Sequence, residues 1–290
     1  MFTDVTLELT GRCNLRCYFC LIPHDQKKGD MSEDVLDATK RFIKEAEISY
    51  VILSGGEPLL YPKLTEVVRY FREDLLQVTV FSNLTLRMSE ELVSLLTRSG
   101  TFLKFSVYAT NFKDFKRVTG GSEREWDNFL RNLKIILDEG IYGYAMFIGL
   151  KENSYFEEEL PEPFSRLLDR IRIGYSGTLR PNWYGEGGGE RGRVPRFARS
   201  DPLPLNHITK VPPPSRNCIL SYYPRIFVTP EGLVYPCPYA AEVYGHISKL
   251  PPNIVLKKSG LKLPWEGGRC MILWSPISKI LHTYEGIMLR

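Results

Sequence analysis

The sequence lacks several features that would indicate common classes of protein. Its 290 residues carry a formal net charge of only +4 with no long basic run, so nothing in it indicates nucleic-acid binding. Its longest apolar stretch, residues 141–150, is too short to span a bilayer and is typical of a buried strand. Strand-like sequence begins within a few residues of the first methionine, which leaves no room for a signal peptide. No internal repeat indicates a solenoid. We therefore expect a cytoplasmic globular protein without a membrane partner.

Cysteine is also scarce, with six residues in two sets of three. The first set, Cys13, Cys17 and Cys20, lies on a loop after the strand-like residues 5–10. Six cysteines in an intracellular chain of this length are more typical of metal ligands than of disulfides. Three thiolates so close together can converge on one metal centre. A cubane iron–sulfur cluster held by three cysteines leaves one iron free for a non-protein ligand.

Zinc and disulfide chemistry are the alternatives for this loop. The three cysteines could form a tetrahedral zinc site with His24. Structural zinc sites favour paired cysteines, whereas here three residues and then two separate the cysteines, with no second pair nearby. A disulfide would leave one thiol of the loop over. The spacing therefore favours an iron–sulfur cluster.

Strand-like and helix-like segments alternate along the first 175 residues. We predict strands over residues 5–10, 50–53, 78–81, 102–108, 142–150 and 171–175. The predicted helices cover residues 30–48, 62–73, 89–98, 123–139 and 163–170. This alternation predicts an α/β fold in which a parallel sheet is covered by helices, and six units predict a partial (β/α)6 TIM-like barrel. Ligands of such folds bind at the carboxyl ends of the strands.

The composition changes after residue 180. We predict a barrel over residues 1–180, a glycine- and proline-rich connector over 181–216 and a small C-terminal domain over 217–290. The glycine-rich run 185–193 has no strand-then-helix context, so a phosphate-binding loop is disfavoured and a lid or connector is favoured. In the C-terminal domain, residues 226–235 predict a β-hairpin with its turn at 230–232.

The cysteine loop resembles the signature of the radical S-adenosylmethionine (radical SAM) superfamily. The spacing C-x3-C-x2-C with aromatic Phe19 before the last cysteine is typical of that family, and Ser54-Gly55-Gly56-Glu57-Pro58 resembles a second family motif. The resemblance implies a 4Fe–4S cluster whose open iron is chelated by SAM. One electron from a flavodoxin- or ferredoxin-type reductant would cleave SAM, and a 5′-deoxyadenosyl radical would abstract hydrogen from the substrate.

The same resemblance implies roles for residues at three strand ends. The backbone of the turn Gly55, Gly56, Glu57 and Pro58 would bind the amino group of SAM, with an ordinary strand-to-helix turn as the alternative. Polar residues after or near the ends of the third and fourth strands would contact the ribose and carboxylate of SAM, and these are Asn83 and Ser106.

Two further positions have competing roles. Arg117 would grip the SAM carboxylate through its guanidinium, although the arginine of the family could align with Thr119 instead. Asn153 would contact the adenosine or cap the next helix. The stretch 118–140 and residues 151–153 also resemble the subgroup of the family that modifies peptides.

The second cysteine set resembles the SPASM type of auxiliary-cluster domain. Cys218, Gly232 and Cys237 match its opening, in which a β-hairpin presents the cysteine that follows it. Only Cys270 remains of the later cysteines, so the resemblance implies one auxiliary cluster, as in the reduced "twitch" version. Its fourth position would be open, bound by a residue such as His246, or bound by substrate. Buried thiols without a metal are the alternative.

Three hypotheses of function follow. The first, which we favour from the sequence, is a radical SAM enzyme that cross-links or epimerises a ribosomally made peptide, with a separate protein for peptide recognition. The second is modification of a small molecule or cofactor precursor, with activation of a partner enzyme also open. The third is a non-enzymatic iron–sulfur or zinc protein, which the SAM-type turn disfavours because electron transfer needs no open iron.

Overall fold

The computed structural model describes residues 4–17, 20, 29–98, 100–149, 161–170, 172–177, 225–235 and 243–251. Several residues with predicted roles lie outside these ranges, namely His24, Asn153, Cys218, Cys237 and Cys270. The glycine-rich run 185–193 lies outside them as well. The roles of these residues stay predictions.

Six parallel strands form the main part of one sheet and lie in sequence order. They are β1 (Asp4–Glu8), β2 (Tyr50–Ser54), β3 (Gln77–Ser82), β4 (Thr101–Val107), β5 (Gly143–Gly149) and β6 (Arg172–Gly177). Because parallel crossovers are right-handed, a strand order without reversal places the connecting helices on one face of the sheet. The predicted α/β class and partial barrel are confirmed, and the barrel is not closed.

Strand β4 shows how the two faces of the sheet differ. Its residues on the helix side are at most 1% exposed, namely Thr101, Leu103, Phe105 and Val107. The residues that alternate with them are partly exposed, namely Phe102, Lys104 and Ser106. Successive side chains of a strand point to opposite faces, so this second set lies on the open, inner face of the partial barrel.

The described helices are α1 (Glu33–Glu45), α2 (Leu64–Glu73), α3 (Glu90–Leu96), α4 (Phe112–Thr119), α5 (Glu123–Asp138) and α6 (Phe164–Arg170). Five of them coincide with predicted helices. Local caps fix their starts: the Ser32 side chain accepts from Val35 N at 3.4 Å before α1, and the Ser89 side chain accepts from Leu92 N at 3.1 Å before α3. No helix in the described ranges is long and apolar enough to cross a lipid bilayer.

Helix α4 is a correction, because the sequence predicted no helix there. Asn111 caps its start, with Oδ1 accepting from Asp114 N at 2.9 Å, and Gly120 ends it at a φ of 67°. The helix has eight residues, so its apolar period is too short to stand out in the sequence. The bounds of this helix are set by its two capping residues, and a single residue at each end is a weak signal in the sequence.

The predicted hairpin is confirmed and joins the barrel sheet. Strands β7 (Arg225–Val228) and β8 (Leu233–Tyr235) are antiparallel, and β7 pairs in parallel with β1. Strand β9 (Gly245–His246) then pairs with β8. The His246 ring packs against Gly232, and its Nδ1 lies 2.8 Å from Ser248 Oγ. The division of the chain into three domains stays a prediction.

Candidate functional site

The glycine turn after β2 docks directly onto the start of the cysteine loop. Gly56 N donates to Thr10 O at 2.7 Å, and Glu57 N donates to Arg12 O at 2.8 Å. A Cβ atom at Gly56 would overlap the carbonyl of Arg12, and one at Gly55 would lie 2.5 Å from the carbonyl of Thr10. The two glycines therefore allow two backbone segments to touch, which side chains would prevent.

An ion pair fixes the residue that precedes Cys13. Arg12 donates through Nε and Nη2 to the two carboxylate oxygens of Asp30, at 2.9 and 2.7 Å, and Nη2 also donates to Leu60 O at 2.7 Å. Thr10 Oγ1 donates to the same carboxylate at 2.6 Å. A bidentate guanidinium–carboxylate pair is directional, so this contact orients the backbone entering the cysteine loop.

The side chain of Glu57 links the glycine turn to the end of β3. Its carboxylate accepts from Leu59 N at 3.0 Å, from Ser82 Oγ at 2.7 Å and from Asn83 N at 2.7 Å. Burial raises the pKa of Glu57 to about 7, and the three hydrogen bonds act in the opposite direction. The predicted motif residue therefore uses its side chain to hold two strand ends together.

A polar network connects Asn83 to the cysteine loop. Asn83 Oδ1 accepts from the backbone N and the Oγ1 of Thr85, at 2.9 and 2.6 Å. Asn83 Nδ2 donates to Asn14 Oδ1 at 3.1 Å and lies 3.8 Å from Cys13 Sγ. Asn14 Nδ2 donates in turn to Thr85 Oγ1 at 2.8 Å and to Glu125 Oε1 at 2.7 Å. Residues from the loop after β3, the cysteine loop and α5 thus form one hydrogen-bond network.

The three cysteines of the loop form no disulfide bond and lie at the edge of the sheet where the glycine turn docks. Cys17 is 9% exposed, Cys13 and Cys20 are partly exposed, and all three pack against the main core. Cys20 N donates to Cys17 O at 3.0 Å, which closes a turn between them. No three His, Cys, Asp or Glu side chains of the described ranges form a group that could hold a single metal ion. The donor set suits thiolate ligation of an iron–sulfur cluster.

Tyr108, which directly follows β4, interacts electrostatically with the cysteine loop and is hydrogen-bonded to Ser106 of β4. Burial raises the pKa of Tyr108 well above its ordinary value, the charges of Cys17 and Cys13 add to this, and a hydrogen bond with Ser106 opposes it. Tyr108 thus links Ser106 to the surroundings of Cys17 and Cys13, and the role of Ser106 toward SAM stays a prediction.

Arg117 and Thr119 differ in their surroundings. Arg117 lies on α4 with half of its side chain exposed, and its Nη2 donates to Asp114 Oδ1 at 2.8 Å. Thr119 is buried, and its carbonyl accepts from Arg16 N, within the cysteine loop, at 2.8 Å. The end of α4 thus contacts the loop through Thr119.

Sequence reasoning missed Asn14, Thr85 and Glu125. Glu125 had a local signal, since Ser122 and Glu125 form a capping box at the start of α5. Asn14 lies between two of the cysteines, but nothing in the sequence indicates what it contacts. Thr85 had no signal, because its partners are determined by the tertiary fold.

Residues 7–160 of the chain match the family described as the Radical SAM superfamily. The AdoMet-dependent heme synthase of Methanosarcina barkeri is 24% identical over 288 residues, which covers 85% of this chain and 80% of that protein. The cofactor-modifying protein of the tungsten-containing aldehyde ferredoxin oxidoreductase of Pyrococcus furiosus is 31% identical over 105 residues. A probable GTP 3',8-cyclase of Saccharolobus islandicus is 28% identical over 142 residues.

These last two matches are partial. They cover 34% and 48% of this chain, and the chain spans only 28% and 44% of the two relatives. The activities of these two whole proteins therefore do not carry over to this chain.

Two solved structures share the fold. Streptococcus suis SuiB bound to S-adenosylmethionine superposes with a TM-score of 0.61 at 14% identity, over 86% of this chain and 64% of that one. The enzyme anSMEcpe with bound AdoMet gives 0.63 at 15% identity, over 86% and 78%. At these identities the likeness is one of fold alone. The family match covers more than half of the sequence and both of its motifs, and the chain therefore belongs to the radical SAM superfamily.

Proposed function

We propose that Cys13, Cys17 and Cys20 hold the 4Fe–4S cluster that the radical SAM superfamily uses, and that SAM binds beside it at the carboxyl ends of β2 to β4. The observation that carries this proposal is the docking of the glycine turn onto the cysteine loop through Gly56 N and Glu57 N. That docking joins the two family motifs, which are 36 residues apart between Cys20 and Gly56, into one site.

The cluster and SAM together supply a 5′-deoxyadenosyl radical that abstracts hydrogen from substrate. The residues of the chain itself hold the strand ends and loops of this site together and orient them. Glu57 fixes the end of β3 relative to the glycine turn, and Tyr108, which is hydrogen-bonded to Ser106, interacts electrostatically with Cys17 and Cys13. The partly exposed inner-face residues of β4 lie below this edge, and among them Lys104 has its Nζ over the rings of Phe81 and Tyr144.

The first test is the iron and sulfide content of anaerobically reconstituted protein. We expect about four irons to be lost when Cys13, Cys17 and Cys20 are replaced together by alanine. Formation of 5′-deoxyadenosine from SAM under reducing conditions should disappear in the same variant. A variant that keeps its iron and its SAM cleavage would contradict the proposal.

We also propose that Cys218, Cys237 and Cys270 hold one auxiliary cluster. Its support is the confirmed hairpin, whose strand β8 ends two residues before Cys237 in the sequence. His246 stays a candidate for the fourth ligand, and its Nδ1 lies 2.8 Å from Ser248 Oγ. A Cys218, Cys237 and Cys270 triple alanine variant should lose about four of about eight irons. Equal iron in wild type and variant would make this set structural.

For the substrate we propose a small molecule or cofactor precursor. The support is the heme synthase relative, which matches 85% of this chain and is itself matched over 80% of its length. Modification of a peptide is the second candidate. It is supported by the peptide-maturase-like stretch 118–140 and by a fold shared with SuiB bound to its precursor peptide SuiA, at a TM-score of 0.62 and 13% identity.

Deuterium transfer distinguishes the two substrate classes. A uniformly deuterated cell extract is separated by size, and each fraction is incubated with the enzyme, SAM and reductant. Deuterium in 5′-deoxyadenosine from the small-molecule fraction would support the first candidate. Deuterium only from the peptide fraction would overturn it in favour of the second.

A further inference from the structure

We infer that Asn83 is a positioning residue that donates an N–H···S hydrogen bond to Cys13 and thereby sets the reduction potential of the cluster bound there. The inference rests on the proposed function, since it takes Cys13 as a cluster ligand. Asn83 Nδ2 lies 3.8 Å from Cys13 Sγ, across a separation of 70 residues in the sequence. Asn83 is only 5% exposed and Cys13 is partly exposed, so this contact is partly buried.

The contact with Thr85 determines which end of the Asn83 side-chain amide is the oxygen. The backbone N–H of Thr85, 2.9 Å from Asn83 Oδ1, can only donate a hydrogen bond. The atom that faces it must therefore be the oxygen of the amide. The NH2 group of Asn83 therefore faces Cys13. The oxygen and nitrogen of an amide have nearly the same shape, so this assignment rests on the fact that Thr85 N–H is a donor.

The contact with Asn14 determines which end of the Asn83 side-chain amide is the nitrogen. Glu125 Oε1, 2.7 Å from Asn14 Nδ2, accepts hydrogen bonds when ionised, so the nitrogen of Asn14 must face it. Glu125 is itself held by the backbone N and Oγ of Ser122, at 2.8 and 3.1 Å. The oxygen of Asn14 is then directed at Asn83 Nδ2, which requires Asn83 to be the donor. The contacts with Thr85 and Asn14 thus require the same orientation of the Asn83 amide.

Every hydrogen-bond donor and acceptor of the Asn83 side chain has a partner. Its oxygen accepts two hydrogen bonds from Thr85, and its NH2 group has two hydrogens, one for Asn14 Oδ1 and one for Cys13 Sγ. In this arrangement Asn83 has no donor or acceptor left for the ribose or carboxylate of SAM. The side chain is therefore suited to act through Cys13, in contrast to the SAM contact that the family resemblance implied.

The surrounding loop holds Asn83 in this place. Leu84 has a φ of 59°, a left-handed conformation that is unfavourable for a leucine. Asn132 Nδ2 donates to the carbonyls of Leu84 and Leu86 at 2.8 and 2.6 Å, and so fixes that conformation from α5. Hydrogen bonds to the sulfurs are among the factors that set the potential of an iron–sulfur cluster. A donor to a thiolate ligand stabilises the more negative, reduced cluster and raises the potential.

The test is a redox titration of the reconstituted, SAM-free cluster, followed by the EPR signal of the reduced state. We expect the potential of Asn83→Ala to be more negative than that of wild type. Asn128→Ala is the matched control, because Asn128 Nδ2 donates to Thr85 O at 3.2 Å and so supports the same loop through a backbone carbonyl rather than through Cys13. Its potential should equal that of wild type. The Cys218, Cys237 and Cys270 variant serves as background, so that only one cluster is titrated.

Two outcomes would overturn the inference. The first is an Asn83→Ala cluster with the wild-type potential, and several-fold weaker SAM binding by that variant would then support a direct SAM contact. The second is an equal shift in Asn83→Ala and Asn128→Ala, which would reveal a general effect of the loop.

A measurement on wild type covers the case in which Asn83→Ala assembles no cluster. With 15N only in asparagine side-chain amides, the reduced cluster should show a 15N hyperfine coupling, and its absence would contradict the hydrogen bond. The proposed function fails separately, through iron retained after replacement of Cys13, Cys17 and Cys20. If that iron is lost while the Asn83→Ala potential is unchanged, only this inference fails.

Discussion

A buried carboxyl group joins the ends of β2 and β3. Burial raises the pKa of Glu57 from 4.5 to about 7, against hydrogen bonds from Asn83, Leu59 and Ser82. The folded chain therefore binds the proton of Glu57 more tightly than the unfolded chain does. The stability that this proton contributes is fully present below about pH 4.5 and is lost as the pH rises through about 7.

We expect this loss to appear in the free energy of unfolding of the cluster-free protein. Between pH 4.5 and 7 it should fall by about 3 kcal/mol more in wild type than in Glu57→Gln, which cannot ionise. Urea unfolding at a series of pH values measures the difference. Glu45→Gln, which replaces an exposed glutamate of α1, should keep the pH profile of wild type. Parallel profiles for wild type and Glu57→Gln would contradict the raised pKa.

A second prediction concerns the glycine turn. Gly56→Ala would force a Cβ against the carbonyl of Arg12, so we expect a loss of about 2 kcal/mol in stability and a large loss of reconstituted iron. Thermal unfolding and iron analysis measure the two effects. Gly29→Ala is the matched control, because a Cβ added there would meet no atom within 4 Å, although Gly29 also bonds to the loop at Gly11. Similar losses in both variants would argue against the docking.

At the scale of elements, α5 supports the site from outside the sheet. Its residues Asn128 and Asn132 donate to the carbonyls of residues 84–86, and Glu125 at its first turn accepts from Asn14. Helix α4 contributes as well, since the carbonyl of Thr119 accepts from Arg16 N. Two helices therefore hold the two loops that carry Cys13 and Asn83.

We expect Asn132→Ala to destabilise the protein by about 2 kcal/mol, because it leaves the buried carbonyl of Leu84 and the partly buried carbonyl of Leu86 without their donor. Denaturant unfolding measures this change. Asn128→Ala removes a longer bond of 3.2 Å and should lose less. A larger loss in Asn128→Ala than in Asn132→Ala would contradict this assignment.

Five of the six described helices and all six parallel strands could be predicted from the sequence, because apolar periodicity is local. Helix α4 could not, since its fold depends on the caps Asn111 and Gly120 more than on a repeating pattern. The candidate site divides in the same way. The two motifs are local sequence patterns and could be recognised directly. The contact of Asn14 with Glu125 joins residues 111 positions apart, and the sequence around either residue does not indicate it.

At the scale of the whole molecule, the hairpin extends the barrel sheet instead of standing apart from it. Strand β7 pairs with β1 over four residues, and Ile226 and Val228 belong to the same core as β1. The sequence predicted the hairpin from its turn but gave no indication of its partner strand. Pairing between residues more than 200 positions apart is decided by the packing of the complete sheet.

Val228→Ala should therefore destabilise the barrel itself. Val228 is fully buried, and we expect a loss of about 2 kcal/mol within a single unfolding transition seen equally by fluorescence and circular dichroism. Val243→Ala, at a side chain that is 43% exposed, should change little. Two separate transitions, with only the second shifted, would indicate that the hairpin folds as an independent unit.

The position of β1 between β2 and β7 has a consequence during translation. Its pairing with β2 becomes available once residue 54 has left the ribosome, but its other edge has no partner until residues 225–228 emerge. From residue 54 until residue 225 the nascent chain therefore presents an open strand edge next to the thiols that follow β1. An exposed edge recruits other strands. The growing polypeptide thus has its greatest need of chaperone protection, and of protection from oxygen, before residues 225–228 are made.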